Sequence, residues 1–165
     1  RKLGVPFFED NLAYSRTESQ QENLYRAYLY LLPHPYFSAR AEFQFEKFAR
    51  DPSATGPYGI ETASAPVNVS FFHPSGVFAK LTTTFVQQKV KSQTPENSGV
   101  DDFALLDAAV GYRLPNRRGI VSLEGRNLMD EHFFYRNVNF QASEPVYYQR
   151  FTPHRTLFLR VTLNF

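Results

Sequence analysis

Residues 155–165 (RTLFLRVTLNF) alternate with a period of two: Leu157, Leu159, Val161, Leu163 and Phe165 fall on one side, and Thr156, Phe158, Arg160, Thr162 and Asn164 on the other. Successive side chains of an extended chain point to opposite faces, whereas a helix would need apolar spacings of three and four. The stretch is therefore a β-strand with one apolar side. It is longer than the ~5–6 residues of an ordinary soluble strand and matches the ~9–11 that cross a bilayer at a tilt. Lipid, rather than a packed interior, is the expected neighbour of the apolar side.

The same period recurs upstream, and strands are predicted near 23–32, 36–48, 60–72, 77–88, 102–114, 119–129 and 155–165. One face carries Tyr25, Ala27, Leu29 and Leu31, then Ala39, Ala41, Phe43 and Phe45, then Ala63, Ala65, Val67, Val69 and Phe71. Val77, Ala79, Leu81 and Phe85 continue it, followed by Leu106, Ala108, Val110 and Tyr112, and by Val121 and Leu123. Pro33 and Pro35 break the first segment, since proline has no N–H for a ladder. Pro66 falls on the polar side of the third, where a bulge or a weak edge is expected. Residues 1–22 read as loop or partial strand: 3–8 could be the stub of an eighth strand, and 9–22 reads as loop.

Connections alternate in length. Short ones fall at 33–35, 73–76 and 115–118, and long ones at 51–59, 89–101 and 130–150. Outer-membrane barrels pair tight periplasmic turns with larger extracellular loops in this way. The predicted fold is all-β, an antiparallel transmembrane β-barrel of the outer-membrane type, with seven or eight long strands in this chain as part of a larger barrel. A soluble sandwich could hold the same rings on its inner faces, but strand length and loop asymmetry favour the barrel.

Composition fits. No stretch approaches the ~18 apolar residues of a membrane helix, and a barrel needs none because only alternate residues meet lipid. Aromatic residues make up 16% of the chain, with Phe 17 and Tyr 10, enough for two interfacial girdles. Phe43, Phe45, Phe85 and Phe103 are placed toward the extracellular end, and Tyr36, Phe71, Tyr112 and Phe165 toward the periplasmic end. Arg40, Lys80, Arg113, Arg126 and Arg160 lie opposite the apolar face with Glu42, Glu46, Asp107 and Glu124, and read as a lumenal ion-pair network.

Other functions find little support. Cysteine is absent, which removes disulfides and thiolate metal sites. A net charge of +2 is too small to argue for nucleic acid. No nucleophile, base and orienting group stand together, so an enzyme is not expected. His34 and His73 fall on short turns, while His132 and His154 flank the last long loop and could approach each other. Lacking a third spaced ligand, they read as solvated loop histidines, and no metal or cofactor is expected. The loop itself carries Phe133, Phe134, Tyr135, Arg136, Tyr147 and Tyr148, which suit either capture of a ligand or a self-packed cap.

Three pieces carry a family resemblance. Gly111-Tyr112-Arg113-Leu114 leads through a turn into Val121-Ser122-Leu123-Glu124-Gly125-Arg126. Asn127-Leu128-Met129-Asp130-Glu131 is similar to an Asn-Leu-Phe-Asp-Lys signature, with Met129 and Glu131 departing from it. Pro153-His154-Arg155-Thr156 is similar to a Pro-Arg-Thr that opens the last strand. Together, over 102–165, they resemble the C-terminal barrel region of a TonB-dependent outer-membrane receptor.

That resemblance implies an outer membrane of a Gram-negative bacterium, with lipid as a partner and Leu157, Leu159, Val161, Leu163 and Phe165 as a signal for the barrel-assembly machinery. It also implies uptake of a scarce small-molecule ligand such as a siderophore, using a plug domain and TonB. Neither plug nor TonB box is visible in the 165 residues, and Arg1 stands where an initiator Met would. The chain reads as the C-terminal portion of such a receptor or, alternatively, as a complete small eight-stranded barrel acting as anchor, adhesin or structural protein.

Overall fold

The structure, a computed structural model, describes residues 2–9, 12–52, 57–93, 95, 98–133 and 154–164, with side chains from Gln20 onward. It is an antiparallel sheet: β1 (Lys2–Glu9), β2 (Leu12–His34), β3 (Phe37–Arg50), β4 (Pro57–Phe72), β5 (Val77–Ser92), β6 (Gly99–Arg113), β7 (Gly119–Arg126) and β8 (Thr156–Leu163). Spatial order follows sequence order, β1 to β8, and each strand pairs with the next. Among the described residues the sheet is open, with β1 and β8 as its edges and no ladder joining them.

Several boundaries differ from expectation. Residues 12–22 belong to β2 rather than to a loop, because their backbone pairs with β1 from Glu9↔Leu12 to Lys2↔Ser19. Beyond Ser19, β2 changes partner and pairs with β3 from Gln20↔Arg50 onward. Pro33 does not end β2; a register shift between Leu31 and His34 accommodates it. Pro66 produces no bulge. The β3–β4 ladder lapses between Ala41↔Val67 and Gln44↔Ser64 and resumes in the same register, as a missing N–H requires. The expected loop at 89–101 is mostly strand, since β5 runs to Ser92 and β6 starts at Gly99. By contrast, β7 stops at Arg126, and 127–129 form a turn.

The short turns rest on local chemistry. Gly76 adopts φ 100° and donates its N–H to the His73 carbonyl at 3.0 Å. A side chain there would be strained and would also meet the Arg113 carbonyl at 2.6 Å. The His73 ring accepts the Ser75 N–H at 3.2 Å, and the His34 ring accepts the Tyr36 N–H at 3.1 Å. Pro115–Arg117 is a single 3₁₀ turn with Asn116 and Arg117 in the left-handed region. Asn164 closes on this turn: its N–H reaches the Arg118 carbonyl at 2.9 Å and its side chain the Arg117 carbonyl at 2.8 Å.

Directly opposed residues of antiparallel strands share a face, so register defines the two surfaces. One row crosses seven strands: Leu31, Ala39, Val69, Leu81, Ala108, Gly125 and Leu157. The rows on either side are Leu29, Ala41, Val67, Thr83 and Leu106, and Phe37, Phe71, Ala79, Val110, Leu123 and Leu159. The predicted apolar face is therefore continuous, and among the described residues no second layer covers it: Leu29 is 55% exposed, Leu81 48%, Val110 52% and Leu159 73%. From Phe37 to Phe45, Ala63 to Phe71 and Val77 to Phe85, this face runs for roughly 27 Å of strand at ~3.4 Å per residue.

A polar row bounds it. Asn23, Lys47, Glu61 and Lys89 stand opposite one another, with Lys47 Nζ 3.1 Å from Glu61 Oε1. At that same end, β3, β4 and β5 continue past the apolar band and bury Phe48, Ile60 and Val90 together on the other face.

Candidate functional site

The face opposite the apolar one holds the charges, as expected, but in separate clusters rather than one network. Arg26 Nε lies 3.0 Å from Glu42 Oε1, and Arg40 pairs with the same carboxylate. Arg26 also donates to Gln44 Oε1 at 2.9 Å, a participant the charge pattern had not singled out. Across the sheet, Arg160 meets Glu124 at 3.2 Å, and Ser122 Oγ donates to Glu124 at 3.1 Å. Arg113 lies 5.2 Å above the Phe72 ring, Arg126 5.3 Å above Phe158, and Lys80 6.0 Å from the Phe78 ring. Asp107 accepts a backbone N–H instead of a cation. Between the clusters, Gln88 is buried and donates to Thr62 Oγ1 at 3.0 Å.

Ring residues gather at the ends of the apolar face. At the short-turn end, His34 and Tyr36 have centroids 4.9 Å apart, Tyr36 and His73 5.7 Å, and Phe37 and Phe71 5.0 Å. At the other end Tyr25 meets Phe45 at 6.3 Å, with Phe43 and Phe85 exposed nearby. Phe103 is a correction. Opposed to Val86, it projects from the polar face, where it is buried and stacks on Phe133 at 4.2 Å. Its strand places apolar residues on both faces here, so alternation alone could not orient it.

The most elaborate construction is the corner between β7 and β8. Asn127 adopts φ 47° and Asp130 φ 55°, left-handed values that Asn and Asp tolerate better than most residues. Asn127 is 2% exposed; its side chain donates to the Glu131 carbonyl and accepts the Glu131 N–H, each at 2.9 Å. Its own N–H goes to Asp107 Oδ1 at 2.9 Å, and the Leu128 N–H to the Leu106 carbonyl at 2.8 Å. Asp130 reaches forward: its Oδ1 accepts the Arg155 N–H at 2.8 Å, and Thr156 begins β8 immediately afterwards. That hydrogen bond, with the Arg155 charge and those of His132 and His154, holds the Asp130 carboxyl below the usual carboxylate range despite some opposing desolvation.

Asn127, Leu128, Asp130, Arg155 and Thr156, on which the sequence resemblance rests, thus meet at one corner, while Pro153 lies outside the described residues. Leu157, Leu159, Val161 and Leu163 line one face of β8, against Gly125, Leu123, Val121 and Gly119; Phe165 lies outside the described residues. So do Phe134, Tyr135, Arg136, Tyr147 and Tyr148 of the suggested ligand loop. Phe133, the remaining member, is buried in its stack with Phe103.

His132 and His154 do approach each other, with centroids 5.3 Å apart. Among the described residues no helix is long and apolar enough to cross a membrane. Comparison with protein-family models, with curated proteins and with solved structures finds no match.

Proposed function

We propose that this sheet is part of the wall of an outer-membrane β-barrel, the C-terminal portion of a TonB-dependent receptor-like transporter for a scarce small ligand such as a siderophore. The observation that carries the membrane reading is the uncovered apolar face spanning seven strands. An exposed apolar surface of this extent would drive aggregation in water, whereas lipid makes it favourable. Within the height of the band its charges sit on the opposite face, where a watery or plugged lumen would solvate them. The wall performs no chemistry in this reading; ligand uptake depends on a plug domain and TonB.

Two features favour a larger barrel over a complete eight-stranded one. β1 pairs only with residues 12–19 of β2, above the apolar band, so seven strands cross that band in an architecture that normally closes with an even number. Among the described residues no strand pairs with the β2 edge from Gln20 to His34 or with the outer edge of β8, and further strands of the same wall would pair there.

The absence of cysteine permits a direct test. Leu81→Cys and Thr82→Cys place one label on each face at the same height. In outer-membrane preparations, a polarity-sensitive fluorophore at 81 should be quenched by spin-labelled lipid and one at 82 should not. Equal quenching at the two positions would overturn the membrane reading. The open reading frame decides between barrels: a plug-encoding region upstream supports the receptor, and a secretion signal directly upstream supports the small barrel.

A further inference from the structure

The geometry points to a divalent transition-metal site formed by Asp130, His132 and His154 at the foot of the long β7–β8 connection. One ligand atom from each residue lies within 4.8 Å of the others, and His154 Nδ1 is 3.7 Å from Asp130 Oδ1. Tetrahedral bonds of 2.0–2.1 Å put neighbouring ligand atoms about 3.3 Å apart. Small rotations of two exposed imidazoles close that gap. The Arg155 N–H uses one lone pair of the carboxylate, leaving further acceptor sites for an ion.

The positions are set by linked contacts around Asn127 and Asp130. Asp130 is fixed by the Asn127 turn, in which its N–H donates to the Asn127 carbonyl at 2.9 Å. His132 lies between Glu131, held by Asn127, and Phe133, stacked on Phe103. His154 precedes Arg155, whose amide is tied to Asp130. Such outer contacts orient ligands before an ion arrives.

Two imidazoles and one carboxylate select a borderline ion such as Zn²⁺, Ni²⁺ or Cu²⁺ over Ca²⁺ or Mg²⁺, which prefer oxygen. Three protein ligands leave a coordination position open for water or an incoming donor. The bound ion would clip together two segments distant in sequence. This inference stands independently of the membrane reading, because it uses only the corner.

The test is calorimetric titration of Zn²⁺ into the full chain folded in detergent, with histidine NMR spectra recorded alongside. Saturable binding of one ion is expected, with His132 and His154 resonances shifting together and Mg²⁺ giving no response. His132→Ala and His154→Ala should each weaken binding at least tenfold; both leave the Asn127 hydrogen bonds in place, and unchanged strand amide shifts verify folding. His34→Ala with His73→Ala should leave affinity unchanged. Absence of saturable binding, or affinity retained in the two single variants, would overturn the site.

Discussion

Asn127 links three parts of the chain through groups no larger than one amide. Its side chain brackets Glu131, its N–H engages Asp107 on β6, and its carbonyl receives the Asp130 N–H. Asn127→Ala removes two part-buried hydrogen bonds and leaves a left-handed residue without the side chain that tolerates it. A loss of about 2–4 kcal/mol is expected, measured by denaturant unfolding in detergent. Asp130 makes a different prediction. Because its folded pKa is depressed, its tie to Arg155 contributes at neutral pH and is lost as acid takes the pH down through that lowered value. In metal-free buffer, the Arg155 amide resonance should titrate with a midpoint below that of an unstructured Asp peptide; a midpoint at or above it would contradict the assignment.

Within the strands, two residues interrupt the pattern in opposite ways. Pro66 leaves a gap in the β3–β4 ladder without changing register. Pro66→Thr restores an N–H donor beside β3 and should stabilise the sheet by roughly 1 kcal/mol, seen as slowed hydrogen exchange at 42 and 43. Gly111 lies opposite Phe78, whose ring occupies the space a Cβ would need; that Cβ would also meet the Val121 carbonyl at 2.7 Å. Gly111→Val should therefore cost about 2 kcal/mol or more in the same unfolding measurement.

Alternation made the seven band-crossing strands and their apolar faces legible from sequence, since a one-residue slip would have reversed a whole strand. Strand extensions carried a weaker signal: Lys89 to Ser92 and Gly99 to Asp101 hold one valine each among polar residues and glycine, too few to set a period, and read as loop. Phe103 was ambiguous because Ala104 and Leu106 compete with it and Leu105 for the apolar side. Within the corner, motif likeness singled out Asn127 and Asp130 but not their hydrogen bonds. The meeting of Asp130 with His154 depends on how the two ends of the connection return to one place, which spacing does not encode.

The whole molecule is a simple up-and-down meander, each strand lying beside its sequence neighbours. Its two surfaces should respond oppositely to the same substitution. Leu81→Arg faces the proposed lipid and should cost about 2–4 kcal/mol in a bilayer, while Thr82→Arg should be close to neutral; equal costs would argue against the membrane orientation. Pairing of β8 also differs in kind from that of the other strands. Tight turns let most neighbouring ladders zip up locally, but β7 and β8 are separated by residues 127–155. Loop-closure entropy makes that ladder slower to form and earlier to open. The Asn127–Asp130 corner at one end and the Asn164 contacts with the 3₁₀ turn at the other act as two latches on a late-docking strand. Opening both would release β8 while the rest of the meander stays paired.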